Sequence, residues 1–321
     1  MANPGWSRTE SPFHAGELAI HERLGIKARM DRQGRHMIRE YLTQQHQEFF
    51  AQLSYVIVGT ADKSGDLWTS ILTGKPGFMT ASSDKLLQVT ANPLHGDPLT
   101  ENLVVNANIG LLGIELSDRR RNRLNGKVSA ILPNGFEVAV WQSFGNCPQY
   151  IQARTFEYVN TPQSKSVREI EEIKLLGELE RNLITSADTF FITTAYLDKS
   201  AGIAGGIDVS HRGGKPGFVR VDNGETLTIP DFTGNYCFNT IGNIELNPAA
   251  GLLFIDFGRG DILYLTGKAE IIWSGAEVNR YTGAERLIRF RLNRGYLAKA
   301  SLNLNWSTPE FSPFLKRTGS W

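Results

Sequence analysis

Apolar positions recur along this chain with two different periods. Between about 35 and 53, Met37, Ile38, Tyr41, Leu42, Gln45, Phe49 and Leu53 fall at helical spacing, which predicts an amphipathic helix over 35–53. The period then shortens. YVIVGTA (55–61) is a β-branched run closed by Asp62-Lys63-Ser64-Gly65-Asp66, which reads as strand then turn. Short strands and Gly-containing turns continue to about residue 160. A second helical pattern, SVREIEEIKLLGELERNLITSA (166–187), is charged and rich in Leu and Ile. After it, TFFITTAYLD (189–198) takes the role that SYVIVGTAD had.

The second half repeats the first. GLLGIELSDRRRNRLNGKVSAI (110–131) and GLLFIDFGRGDILYLTGKAEII (251–272) align without gaps at an offset of 141 (251 minus 110). GKPGF occurs at 74–78 and again at 214–218, an offset of 140 (214 minus 74). A period this long fits a duplicated domain rather than a solenoid. The later hairpin is well specified: GLLFIDF as one strand, Gly258-Arg259-Gly260-Asp261 as turn, ILYLTGKAEII returning antiparallel. Many short strands with few intervening helices argue for a barrel or sandwich and against a doubly wound sheet. The expected division is an N-terminal helical segment (1–54), a first β unit (55–160), a connecting helix (161–188) and a second β unit (189–321).

Composition narrows the class. The chain has 321 residues, 41% of them hydrophobic, enough for a proper core, and a net charge of +1. That balance provides no long-range field for nucleic acid or an anionic membrane. Two cysteines, Cys147 and Cys237, make no disulfide framework and point to a reducing compartment. The first residues carry no apolar signal core and no run is long enough to span a bilayer, so a cytoplasmic protein is expected.

Three stretches, FHAGE (13–17), SFGNCPQYIQ (143–152) and FNTIGNIELNPAAGLLFIDF (238–257), make the chain resemble the pyridoxamine 5′-phosphate oxidase-related, FMN-binding split barrels, and within them the long two-barrel members. The likeness covers nearly the whole chain. It implies a mainly β (α+β) fold of two tandem antiparallel six-stranded split barrels, with FMN bound where they meet. It also implies an FMN-dependent oxidoreductase working at flavin N5 on a small-molecule redox substrate or electron donor. A homodimer is common in the family, an expectation that the fused duplication weakens. The runners-up are a deazaflavin F420-dependent reductase of the same fold and a non-catalytic flavin or haem binder.

A flavin phosphate needs cations, hydroxyls and close backbone. IDVSHRGGKPGF (207–218) offers Ser210, His211, Arg212 and Lys215 around Gly213 and Gly214. Ser210 and Arg212, two apart, share one side of a strand, and an arginine fork suits phosphate oxygens. The resemblance places Arg212 and Lys215 on the phosphate. Asn239 and Thr240 open a short helix expected over about 239–246, with Thr240 as its cap and the helix N-terminus facing the same phosphate. Sliding by 140 sets Leu72 against Arg212, and sliding by 141 sets Pro98 and Leu99 against Asn239 and Thr240. One flavin per chain follows, with the first unit covering the ring through Trp141, Gln142, Asn146 and Tyr150. Cys147 reads as structural.

Other patterns carry less. His14, Glu17 and His21 lack metal-site spacing and read as a helix entry. Arg119, Arg120, Arg121 and Arg123 read as a solvated hairpin tip. No Gly-x-Gly-x-x-Gly follows a strand. The Arg-x-His near the C-terminus that handles substrate in the oxidases proper is missing, since no histidine follows His211, which argues against vitamin B6 oxidation.

Overall fold

The first helix begins at a reciprocal cap. In a computed structural model that describes residues 5–159 and 169–321, the His14 side chain accepts from Gly16 N and Glu17 accepts from His14 N, starting α1 (Ala15–Arg23). Next come α2 (Lys27–Met37) and α3 (Gln44–Gln52). The helix expected over 35–53 is therefore two pieces. Ile38 is already extended, and Arg39 exchanges both backbone hydrogen bonds with Ser143. Thr43 then caps a new helix by accepting from His46 N. The apolar stripe was real, but it belongs to two elements.

The first sheet contains β1 (Tyr55–Ala61), β2 (Leu67–Thr73), β3 (Met79–Ser83), β4 (Leu86–Val89), β5 (Asn108–Glu115), β6 (Arg120–Leu132) and β7 (Gly135–Gly145), with the single-turn α4 (Leu99–Asn102) before β5. Then follow β8 (Phe156–Tyr158), β9 (Ile170–Ile173) and α5 (Glu178–Ser186). The connecting helix expected over 166–187 is thus mostly replaced: 166–168 lie outside the described residues, and Ile170–Ile173 forms a strand instead. Helix starts only after Gly177, whose N–H donates to Glu180 at 2.7 Å. The second sheet contains β10 (Thr189–Tyr196), β11 (Gly206–Gly213), β12 (Arg220–Val221), β13 (Thr226–Phe232), β14 (Ala249–Ile255), β15 (Ile262–Ile272) and β16 (Ala284–Ala298), with α6 (Asn239–Leu246) before β14 and α7 (Ala276–Asn279) before β16. β9 adds to the outside of β16, and β17 (Leu304–Trp306) pairs with β8.

The molecule is mainly β, with antiparallel sheets and a few helices. The strand order is β2-β1-β5-β6-β7-β4-β3 in one sheet and β11-β10-β14-β15-β16-β13-β12 in the other. Adding nine to every label of the first order produces the second. Each path has seven strands rather than the six expected. Even an irregularity recurs, with a register shift at Asn125/Gly126 against β7 and at Thr266/Gly267 against β16.

The apolar runs lack strict alternation because both faces of their strands are buried. Val56 and Val58 enter a core inside the first unit, while Tyr55 and Ile57 enter a layer shared by the two units. In the repeated Gly-Leu-Leu, Leu111 and Leu252 each fill their own unit's core, and Leu112 and Leu253 enter the shared layer. The repeated glycine has a cause too. A Cβ at Gly110 would lie 2.3 Å from Ile207 O, and a Cβ at Gly251 would lie 2.5 Å from Leu67 O. Each unit presents the same glycine to the same carbonyl position of the other (207 minus 67 is 140). Between them the Thr69 and Thr193 hydroxyls meet at 2.6 Å.

Asp97 also ties the units together. It is buried, accepts from Ser70 Oγ (2.5 Å) and Leu99 N (2.8 Å) within the first unit, and from Tyr264 Oη (3.3 Å) of the second. Burial raises its pKa from 3.8 to about 7.

Two expectations follow. Gly110→Ala and Gly251→Ala should each cost about 1–3 kcal/mol in urea unfolding by forcing backbones apart; unchanged midpoints would refute the close approach. For Asp97, the folded state holds a proton that the unfolded state has released between pH 3.8 and about 7, so stability falls as pH rises through that window. Asp97→Asn should flatten the dependence of Tm on pH between 5 and 8; a profile parallel to the original would refute the assignment.

Candidate functional site

Where β6 of the first unit meets β11 and the α6 entry of the second, a cleft opens. It is a narrow slot with a cavity volume of about 130 Å³. The first unit contributes Arg121, Arg123, Asn146, Cys147, Gln149 and Tyr150 to its walls. The second contributes Ser210, Arg212, Asn239 and Thr240, the backbone around His211, and the loop from Asp231 to Phe238, with Glu285 and Arg286 beyond.

Most of the cations here are paired. Arg123 donates to Asp208 (3.0 Å) and to Ser210 Oγ (2.6 Å). Arg212 and Arg286 share the two oxygens of Asp231, and Arg286 also meets Glu285 at 2.5 Å. Arg121 is different. Its Nε donates to Cys147 O (2.8 Å) and Nη1 approaches His211 O (3.5 Å), and among the described residues no carboxylate pairs with it. Burial, then the charges of Arg123 and Arg212, lower its pKa to about 10, so it stays charged at neutral pH. The four lining arginines (121, 123, 212 and 286) face three carboxylates, Asp231 and Glu285 in the lining and Asp208 behind Arg123, leaving an excess of one positive charge. Arg123 Nε, Arg212 Nε, Asn146 Oδ1 and Gln149 Oε1 are buried without a hydrogen-bond partner.

The helix α6 aims its N-terminus at this charge. Phe238 precedes it in the left-handed region (φ 60°) and gives no side-chain cap. Thr240 therefore is not the cap that the sequence suggested. It lies inside the first turn, and its hydroxyl donates to Ser210 Oγ at 3.0 Å. Tyr150 (φ 63°), Tyr236 (φ 60°) and Phe238 are all non-glycine residues with positive φ, and all three line the cleft. Aromatic residues held in that region carry backbone strain, which proteins retain at sites where the geometry matters. The N-terminal helix holds this loop in place, since His21 Nε2 lies 2.8 Å from Tyr236 O.

Six of the nine sequence-derived candidates come together: Ser210, His211, Arg212, Asn239, Thr240 and Asn146 all border the cleft. His211 turns its ring away, edge-on to Phe191 at 5.7 Å. Lys215 lies elsewhere, its Nζ donating to Thr318 O at 2.6 Å. Trp141 sits under Lys127, and Gln142 is buried with Nε2 donating to Pro12 O at 3.1 Å. Gly213 serves packing: a Cβ there would lie 2.0 Å from Tyr150 O, the segment that brings the first unit's wall to β11.

The arginine run must be corrected. Arg120 is exposed at the first position of β6, but Arg121 and Arg123 lie further along that strand toward the second unit, and Arg123 is 3% exposed. The signal was present in the repeat. An offset of 141 aligns Arg121 with Ile262 and Arg123 with Tyr264, both strand positions facing inward. Asp231 and Arg286 had no such signal, because only the β13–β16 pairing brings them together.

No family model and no curated protein matches the chain. Among solved structures it is similar to HupZ of Group A Streptococcus, at 18% identity over 40% of this chain and 98% of that one, with a TM-score of 0.30. It is also similar to a putative pyridoxamine 5′-phosphate oxidase from Lactobacillus delbrueckii, at 13% identity over 38% and 93% of the two chains, TM-score 0.30. A third is an FAD-binding protein from Mesorhizobium loti, at 14% identity over 40% and 98%, TM-score 0.24. TM-scores this low leave function to be read from the residues of the cleft. Among the described residues no group of metal-ligating side chains occurs, and no helix is long and apolar enough to cross a membrane.

Removing Arg123 would strand the buried Asp208 and should cost about 3–5 kcal/mol of stability. Removing Arg121 strands no carboxylate, so Arg121→Ala should leave Tm unchanged or raise it. Equal losses for the two variants would refute this division of roles.

Proposed function

We propose that the chain is an internally duplicated split-barrel flavoprotein that binds FMN non-covalently in the cleft between its two units and acts as an oxidoreductase. The observation that carries this reading is Arg121: a charged, half-buried guanidinium with no carboxylate partner among the described residues, set beside Arg212 and the N-terminus of α6. Such an arrangement calls for an anion, and helix N-termini with converging arginines suit a phosphate. The fit extends to the rest of the molecule. Tyr150, Phe232, Tyr236 and Phe238 offer flat apolar surface in a narrow slot, and Asn146 and Gln149 have unmatched polar atoms for a ring edge.

Arg121, Arg212 and the first-turn N–H groups of α6 would hold the phosphate, with Ser210 and Thr240 as hydroxyl partners. When bound, the flavin supplies hydride or electron transfer at N5. The protein's part is to position the ring, exclude water and neutralise the phosphate, so no side-chain base is assigned. The redox partner is a small molecule.

One site per chain follows from the equivalent place in the other half. There Leu72 replaces Arg212, Ile262 and Tyr264 replace Arg121 and Arg123, and Pro98 and Leu99 replace Asn239 and Thr240. That place is closed by the Ser70–Asp97–Tyr264 hydrogen bonds.

The purified protein should show flavin absorption near 370 and 450 nm, or gain it on adding FMN, and release FMN on heating. Arg121→Ala should weaken FMN binding about 10- to 100-fold, the loss of one charge-assisted contact. A colourless protein that takes up no FMN would overturn the proposal.

A further inference from the structure

Behind the cleft lies a buried carboxylate that meets a cleft-lining carboxamide. Glu17 is 2% exposed. α1 and α6 cross backbone to backbone there, since a Cβ at Gly16 would lie 2.1 Å from Gly242 O. That crossing pins Glu17 in place. Its Oε2 accepts from His14 N at 2.9 Å, and its Oε1 meets Asn239 Nδ2 at 2.5 Å. Asn239 also lines the cleft, at the first turn of α6 beside Thr240. With Nδ2 turned to an ionised Glu17, one of its two hydrogens is committed there, and the carboxamide offers the cleft at most one N–H beside Oδ1, an acceptor. An acceptor opposes an anion at the place where the helix N–H groups and Arg121 invite one.

Protonation of Glu17 reverses this. The bond from His14 N keeps Oε2 an acceptor, so the proton goes to Oε1, and Oε1–H donates to Asn239 Oδ1. The carboxamide then turns its two N–H donors to the cleft. We propose that the cleft takes up one proton with each phosphate dianion it binds, and that Glu17 receives it. The proposal rests on the reading of the cleft as a flavin-phosphate site.

The groups around Glu17 support that destination. From α1, His14 Nε2 lies 3.6 Å away. His14 Nδ1 accepts from Gly16 N, and burial lowers its pKa to about 4, so it remains neutral. From β11, Asp208 already accepts from Arg123, Asn125 and Asn243, and a proton on it would break one of those bonds. Arg123, from β6, is the guanidinium in that set. From the α6 approach, burial raises the Cys237 thiol to about 12, so it is already protonated. Burial, with Asp208 second, raises Glu17 well above the ordinary carboxylate value. An incoming dianion raises it further.

The test is titration calorimetry of FMN into the full-length protein between pH 7 and 9, where the phosphate's own second ionisation, near 6, is complete. Repeating it in buffers of different ionisation enthalpy counts protons. The wild type should take up a proton, and its FMN affinity should fall by up to tenfold per pH unit across the range where free Glu17 is ionised. Riboflavin, which lacks the phosphate, should bind without uptake. In Glu17→Gln the His14 N bond holds the carboxamide oxygen, so the amide donates to Asn239 and imitates the protonated state. Its affinity should be high and flat over pH 7–9, with no uptake. Asn239→Ser, which lacks the reversible carboxamide, should also be flat but weaker, and it decides the matter if Glu17→Gln does not fold. FMN binding without proton uptake in the wild type, the same slope in Glu17→Gln, or equal uptake with riboflavin would each overturn the inference while leaving the cofactor assignment standing. No FMN binding at any pH would overturn both.

Discussion

Two peptide carbonyls lie where side chains would otherwise be: Ile207 O against Gly110 and Leu67 O against Gly251. This reciprocal approach sets the distance between the two sheets, and nearly everything else depends on that distance. With the backbones in contact, Tyr55, Ile57, Leu112, Phe191, Leu253 and Tyr264 merge into one dry layer rather than two exposed faces. At about 25 cal/mol per Å² of apolar surface removed from water, such a layer outweighs any polar contact along the seam. The same distance brings β6 of one unit beside β11 of the other, and the cleft exists only because of it.

The cleft shows how burial sorts like residues into unlike roles. Arg123 and Arg121 are two positions apart on one strand. The first meets Asp208 and becomes part of the structure; the second meets carbonyl oxygens and, among the described residues, no carboxylate. A buried ion pair contributes little net stability, because the desolvation of both partners offsets their attraction. An unpaired, desolvated cation is costly to keep, and the cost is reasonable where an anion is to be bound. The strained backbones of Tyr150, Tyr236 and Phe238 around the same opening fit that picture. The seam itself is sealed at the equivalent place by Asp97, where leucine, isoleucine and tyrosine stand in for the arginines.

Much was legible without coordinates. The hairpin at 251–272, the strand at 55–61 and the helix at 239–246 appear where pattern and turn residues put them, and the strand expected over 189–198 ends at Tyr196. Short-range chemistry determines those features: side-chain period, turn residues and β-branching act within a few residues. The failures also have physical reasons. The apolar stripe over 35–53 was divided because the Arg39 backbone pairs with Ser143, about a hundred residues away. Lys215 was assigned from the resemblance and its nearness to Arg212 in the chain, and its direction depended on the C-terminal segment that offers Thr318 O.

By itself the sequence determined that two strand-rich stretches share one pattern, that glycine recurs at matched places in them, and that Ser210 and Arg212 share one side of a strand, since periodicity and steric need are written locally. Only the tertiary structure decided which arginines are neutralised, which glycines face another backbone, and that Glu17 of the first helix reaches Asn239 of the sixth. Those outcomes depend on Coulomb and packing terms between residues distant in the chain, and such terms have no value until the two units close on each other.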